Sequence, residues 1–240
     1  MLLLLRTAAP YSPLITENKE RMHSRDFHVR IHGSLACFSR PEFSTERVSY
    51  DLITPSAARG VIEAVLWKPA IRWQVLSVAL LRTVRWLPFR RNEVNSRVST
   101  RNALSASNGG PAMPDFYADE DRAQRNTLAL RDVDYGVVAR FTMTAKAGSG
   151  DNVRKFEEMF ERRLERGQQH FQPYLGCREF PASVEPWDGS GILEDESRDL
   201  GWMLHDIDFG AIYAGTIANE AYFFPAALRH GVVTVPERRA

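Results

Sequence analysis

Apolar residues recur with two different periods along this chain, and the switches between them lay out its elements. In "DFHVRIHG", residues 26–33, Phe27, Val29 and Ile31 alternate with His28, Arg30 and His32, the period-two pattern of a half-buried strand. "TPSAARGVIEAVLW" follows a helical rule instead. Thr54 is placed as an N-cap and Pro55 at the first helical position, while Ala58, Val61, Ile62 and Val65 form one core face. Pro69 ends that helix, and "AIRWQVLSVALLRTVRWL" reads as a β-rich run with room for one strand to turn into another. Residues 95–125, rich in Ser, Asn, Gly and Pro, read as a long loop or insertion.

The next strong strand is "DYGVVARFTMTA", 134–145. Asp151 or Asn152 then caps a helix with Phe156, Met159, Phe160 and Leu164 on one face. "YLGCREFPASVEP", 174–186, returns as a strand with Gly176 at its start. Strand, helix, strand, strand, helix, strand is the split βαβ plan: an α+β, ferredoxin-like (RRM-like) fold, one sheet with two helices on one face. The reading divides the chain into a non-structural extension over 1–24, a ferredoxin-like domain over 25–186 and a small acidic β-rich region over 187–240. Met22, just before the first strand, is an alternative start. No internal repeat is present.

Composition narrows the class only a little. Hydrophobic residues at 44% and charged residues at 25% are ordinary for a globular protein of 240 residues, and the formal net charge is +1. The distribution is more informative. Residues 1–184 hold 27 Lys+Arg against 20 Asp+Glu, whereas 185–240 hold 4 against 10. From Lys68 to Arg101 eight basic residues face one acid, Glu93, an electrostatic footprint suited to a polyanion. Cys37 and Cys177 make no disulfide framework and no metal-binding spacing, so a reducing cytoplasm is the expected home. The opening "MLLLLRTAAPYSPLI" is interrupted by Arg6 and too short to cross a bilayer, so no membrane contact is expected.

No phosphate-binding glycine loop, HExxH or GxSxG motif occurs, and no cofactor or metal is implied. Glu157/Glu158 and Asp119/Glu120/Asp121 read as surface charge. What remains is a set of basic and aromatic clusters: "VLWKP", "FRRNE", "QRNTLALRDVDY", "DNVRKF" and "GCRE". Arginine forks suit phosphates and base edges, and exposed aromatic rings stack on unpaired bases. On a ferredoxin-like sheet such groups suit single-stranded or hairpin RNA better than duplex DNA. The candidate RNA-binding residues are Arg59, Trp67, Lys68, Arg90, Arg91, Arg125, Arg154 and Arg178.

The blocks "ACFSRPEFSTERVSYDLITPSAARGVIEAVLWKPAIRW", "RRNEV", "QRNTLALRDVDY", "AGSGDN" and "PYLGCREFPA" closely resemble the CRISPR-associated Cas five family, subtype d (also called subtype c), of type I-C systems. The resemblance covers roughly residues 25–210. It implies a RAMP protein that cuts CRISPR repeat RNA without a metal and holds the 5′ handle of the product within a Cascade complex. Its partners there would be the large subunit and the repeating backbone subunit. It also implies a tyrosine, a lysine and a histidine that act on the ribose 2′-hydroxyl, the phosphorane and the leaving 5′-oxygen. Here the tyrosine position is Leu66 and the histidine position is Phe156, neither of which can move a proton; Lys155 alone remains. His170, one helix length away, is a candidate replacement. Three readings therefore stand: an endoribonuclease built on Lys155 and His170, a non-catalytic scaffold that caps the handle, and a duplex-DNA module reached by the 95–125 insertion.

Overall fold

The computed structural model of the chain describes residues 22–43, 45–111, 117, 119–207 and 221–237. Residues 1–21 of the expected extension lie outside that set. Residues 23 and 24, expected to belong to it, are instead fixed to the sheet. His23 bridges Thr142, and the Ser24 N–H donates to the Phe141 carbonyl at 2.9 Å.

The elements in chain order are β1 (Phe27–Ala36), β2 (Arg47–Val48), α1 (Pro55–Val65), β3 (Ile71–Leu80), β4 (Trp86–Val94) and α2 (Thr100–Ser107). β5 (Arg122–Met143), α3 (Val153–Glu165), β6 (Ser183–Pro186), β7 (Arg198–Ile207), β8 (Ala221–Leu228) and β9 (Val232–Thr234) complete it. The main sheet runs β6-β1-β5-β3-β9 with antiparallel neighbours. β1, α1, β3, β5, α3 and β6 are therefore the ferredoxin-like unit expected from the sequence, with β5 inserted between β1 and β3.

Phe27, Val29 and Ile31 are buried beneath the helices, while Arg30 on the other face donates to Asp134 at 2.9 and 2.6 Å. Thr54 caps α1 by accepting from the Ala57 N–H. Of the two residues able to cap α3 it is Asn152 that does so, accepting from the Lys155 N–H at 2.9 Å. Phe156, Phe160 and Leu164 turn inward from α3. Two indoles close together in sequence part company at the end of α1. Trp73 is buried and donates from Nε1 to the Leu66 carbonyl at 2.8 Å, whereas Trp67 is 57% exposed.

Three expected boundaries are corrected. Residues 95–125 are not one long loop: they contain α2 and the start of β5. That strand begins at Arg122, not near Asp134, and runs for 22 residues. Its first half pairs with β4 to form an arm whose outer stretch, Arg122–Asn126, has no buried residue to enforce an apolar alternation, although Thr127, Ala129 and Leu130 further along are buried. The 174–186 stretch is a strand only over its last four residues. Ahead of it lies a tight turn closed by a Tyr174–Pro181 bridge. The carboxy-terminal ribbon β7–β8 is a separate two-stranded sheet, yet Met203, Phe224 and Leu228 join the same core, and β9 returns to β3.

Gly176 sits in the 174–182 turn rather than opening a strand, and it has φ +84. A Cβ there would lie 2.0 Å from the Cys37 carbonyl oxygen. Gly176→Ala therefore combines left-handed strain with a backbone clash. It should cost roughly 2–4 kcal/mol in urea unfolding; a loss below about 0.5 kcal/mol, the scale of a neutral surface change, would show that the turn relaxes freely.

Candidate nucleic-acid interface

The turn from α1 into β3 and the loop from β5 into α3 are tied together by their backbones. Thr144 donates from its N–H to the Ala70 carbonyl at 2.9 Å and from its hydroxyl to the Pro69 carbonyl at 2.6 Å. The junction encloses a pocket of about 230 Å³ lined by Lys68, Lys146, Asp151 and Lys155, with Pro69, Ala70, Phe156 and Met159 as its apolar floor. Lys155 donates from Nζ to Asp151 Oδ1 at 2.8 Å and to the Gly150 carbonyl at 3.4 Å. The other carboxylate oxygen of Asp151 accepts from the Gly148 N–H at 3.0 Å. The pocket thus holds three cationic side chains against one carboxylate. It opens at the N-terminus of α3, whose unpaired N–H groups and dipole also favour an anion. Trp67 stands exposed beside Lys68 in the chain, a free stacking face at the edge of this positive patch.

Neither of the two substituted positions presents a polar group to the pocket, and the candidate replacement His170 lies apart from it. Leu66 is wholly buried. Phe156 is also buried, its ring edge-on to Phe141 at 6.4 Å. His170 does not line the pocket. Its backbone N–H donates to the Ala64 carbonyl at 2.8 Å, and its ring stands edge-on to Phe171. Lys155 lies in the first turn of α3 and His170 beyond the last, with roughly 15 Å of helical rise between residues 155 and 165. The pairing of Lys155 with His170 expected from the sequence is therefore not formed.

The candidate arginines fall into two groups. Arg59 donates to Glu63 at 2.9 Å and Asp206 at 2.6 Å, a clamp of α1 onto β7 that lies away from the pocket. Arg91 and Arg47 both pair with Glu179 and with Glu93, and Arg125 reaches Glu93 as well as the Thr45 carbonyl. These three guanidiniums share two carboxylates and hold the arm to the 174–182 turn. Arg154 pairs with Glu158 along the exposed side of α3. Among the described residues Arg90 has only amide partners, Asn126 and Gln124, and Arg178 has no ion pair, so these two offer their charge outward. Lys146 was not singled out by sequence reasoning. Its signal was its place in the Gly/Ser loop just before the α3 cap. Cys37 and Cys177 are both free thiols lying against each other. Cys177 donates from Sγ to the Cys37 carbonyl at 3.7 Å, and the neighbouring Cys177 thiol and Ser39 hydroxyl, with Arg47 and Arg91 nearby, bring the Cys37 thiol down to about 7.

The bond from Lys155 holds the Asp151 carboxyl below its ordinary value of 3.8, assisted by the Gly148 N–H and the charge of Lys68. A depressed carboxyl contributes stability that is present above its ordinary value and lost as pH falls through the lower folded one. In an NMR side-chain titration Asp151 should titrate below 3.8, and Lys155→Ala should return it toward that value. An unmoved midpoint in the variant would mean that the pair does not form in solution.

Comparison with known proteins agrees with this architecture. The family model described as CRISPR-associated protein (Cas_Cas5), Cas_Cas5d, matches residues 27–236. The CRISPR pre-crRNA endoribonuclease Cas5d of Mannheimia succiniciproducens is 44% identical over 219 residues, covering 87% of this chain and 94% of the relative. Its namesake from Thermus thermophilus is 43% identical over 181 residues, covering 75% of this chain and 72% of the relative. A solved CRISPR-associated protein superposes with a TM-score of 0.64 at 22% identity over 90% of this chain and 93% of its own. A functionally uncharacterized protein from Streptococcus mutans gives 0.63 at 20% over 90% and 94%. The two structures speak for the fold alone. With the match running from the first strand to the last, and two relatives this similar, the chain belongs to the Cas5d family of CRISPR-associated proteins.

Proposed function

We propose that this chain cuts CRISPR repeat RNA and then retains the 5′ handle of its product as a subunit of a type I-C Cascade complex. The observation that carries the reading is the cationic pocket at the N-terminus of α3, lined by Lys155 and by Lys68, whose chain neighbour Trp67 is exposed. The names of the Mannheimia and Thermus relatives, both pre-crRNA endoribonucleases, support the substrate.

In such a reaction the nucleophile comes with the substrate. The 2′-hydroxyl attacks the adjacent phosphorus, the bond to the 5′-oxygen breaks, and a 2′,3′-cyclic phosphate is left. The developing negative charge lies on the non-bridging oxygens, where one well-placed donor contributes roughly 3–4 kcal/mol. In this reading Lys155, held by Asp151 and Gly150, is that donor. Trp67 supplies a stacking face worth ~1–3 kcal/mol per base. Arg90 and Arg178, free of carboxylate partners, extend the phosphate track along the arm and the 174–182 turn. Arg59 is left out of the contact set because its charge is answered by Glu63 and Asp206.

A second reading, a scaffold that binds the handle without cutting, is favoured by the burial of Leu66 and Phe156. Purified chain incubated in EDTA with the repeat RNA of its own locus separates the two. Cleavage at one phosphodiester, with a 2′,3′-cyclic phosphate end and loss of about 100-fold or more in Lys155→Ala, is the expected result. Tight binding with no cut would establish the scaffold instead. Binding that falls equally for repeat RNA and random duplex as salt rises would point to non-specific polyanion contact and sink both.

A further inference from the structure

The chain uses arginine for nearly all of its positive charge: 27 arginines against four lysines, namely Lys19, Lys68, Lys146 and Lys155. All three lysines within the described residues line the one pocket at the start of α3, and no arginine lines it. Elsewhere arginines meet carboxylates through their planar forks, as Arg30, Arg47, Arg59 and Arg91 do. A guanidinium would bring more hydrogen-bond donors to a phosphate, so simple attraction does not select lysine. An amine differs in two respects. It is a compact point charge, and it can give up and take back a proton, which a guanidinium cannot.

Among the described residues, two of the three ammonium groups have no hydrogen-bond or ion-pair partner. Lys155 is held by Asp151, whose second oxygen is engaged by Gly148, whereas the Lys68 and Lys146 side chains make no hydrogen bond or ion pair. Unanswered like charges facing one small cavity are an arrangement that only an anion relieves. At about 230 Å³ the cavity is smaller than the roughly 300–1,000 Å³ of a typical small-molecule site and suits a single phosphodiester.

We propose that Lys68 and Lys146 complete the cutting site, so that the scissile phosphodiester seats among three lysines and two of them perform the proton transfers. This rests on the endoribonuclease reading above. The neutral amine of one of the pair takes the 2′-hydroxyl proton as that oxygen bonds to phosphorus. The phosphorus–O5′ bond breaks, and the ammonium of the other protonates the leaving 5′-oxygen. Lys155 stays charged against the non-bridging oxygens. One proton has moved from one lysine to the other through the substrate, and the products are a 2′,3′-cyclic phosphate and a 5′-hydroxyl. The charged groups facing this step are Lys68 from the α1–β3 turn, Lys146 and Asp151 from the β5–α3 loop, and Lys155 from α3; among the described residues no histidine lines the pocket.

Two measurements test this together. Brief lysine acetylation of the intact chain, read by mass spectrometry with and without repeat RNA, should show Lys68, Lys146 and Lys155 shielded together. Lys68→Arg and Lys146→Arg keep the charge but not the titratable amine. Each should bind repeat RNA nearly as the unaltered chain does and cut about 100-fold more slowly, the scale of a lost general acid or base. Shielding of Lys155 alone, or arginine variants that cut at full rate, would overturn the proposal. Joint shielding in a chain that never cuts would end the proton-transfer role and the endoribonuclease reading while upholding the three-lysine phosphate seat.

Discussion

The structure depends on an aromatic cluster where four elements meet. Phe27 of β1, Trp73 of β3, Phe141 of β5 and Phe160 of α3 pack with ring centroids 4.6–6.3 Å apart, mostly edge to face. Such contacts add directional preference to the large area each ring buries. Trp73 also anchors a loop: its N–H to the Leu66 carbonyl satisfies a group left free where α1 ends. That one bond fixes how the chain leaves α1, and so where Trp67 and Lys68 emerge. Phe160 fixes the other wall, because it sets α3 against the same cluster. The pocket between Lys68 and Lys155 is a consequence of this packing, not of any contact between the two lysines.

β5 carries the rest of the fold. Its second half pairs with β1 and β3 in the core, and its first half continues out of the core to pair with β4. Asp132, with φ +51, lies between the two halves. The outer stretch of the arm, Arg122–Asn126, has no buried residue, and ionic ties take the place of apolar burial there: Arg47, Arg91 and Arg125 converge on Glu93 and Glu179. Exposed ion pairs of this kind are individually weak, so their value lies in joining β2, β4 and the 174–182 turn into one network. It follows that a basic residue on this surface is not thereby a nucleic-acid contact. Those with carboxylate partners hold the protein together, and those without, such as Arg90 and Arg178, are left for a ligand.

This division also sets what could be read from the sequence. The ferredoxin-like core was legible because its strands and helices bury one face each, and burial writes a period into the chain. Thr54–Pro55 and Asn152 marked helix starts by chemistry that acts locally. The arm was not legible: neither α2 nor the outer end of β5, Arg122–Asn126, has a buried residue. Nor could sequence spacing tell that Arg59 meets Asp206, 147 residues away, or that the His170 backbone is bonded to Ala64 at the C-terminal end of α1. Lys155 was identifiable through the resemblance. Lys146 was not, since a lysine in a Gly/Ser loop looks like solvated charge until the fold brings it to Lys68.

Leu66 and Phe156 follow from the same geometry. Each is one half of a neighbouring pair that the fold divides between inside and outside: Leu66 turns in and Trp67 out, Phe156 in and Lys155 out. A tyrosine or histidine directed into this apolar core would need a polar partner there, and an unpartnered polar group costs about 1–3 kcal/mol. Leucine and phenylalanine remove that requirement, and fully burying such a side chain stabilises by roughly 1.5–3 kcal/mol. The exchange strengthens the packing that positions the pocket but strips both positions of groups able to move a proton. Any chemistry at this site must then come from side chains that project from the pocket's rim and stay outside the core. Among the described residues that line it, those are three lysines and one aspartate already held on both oxygens.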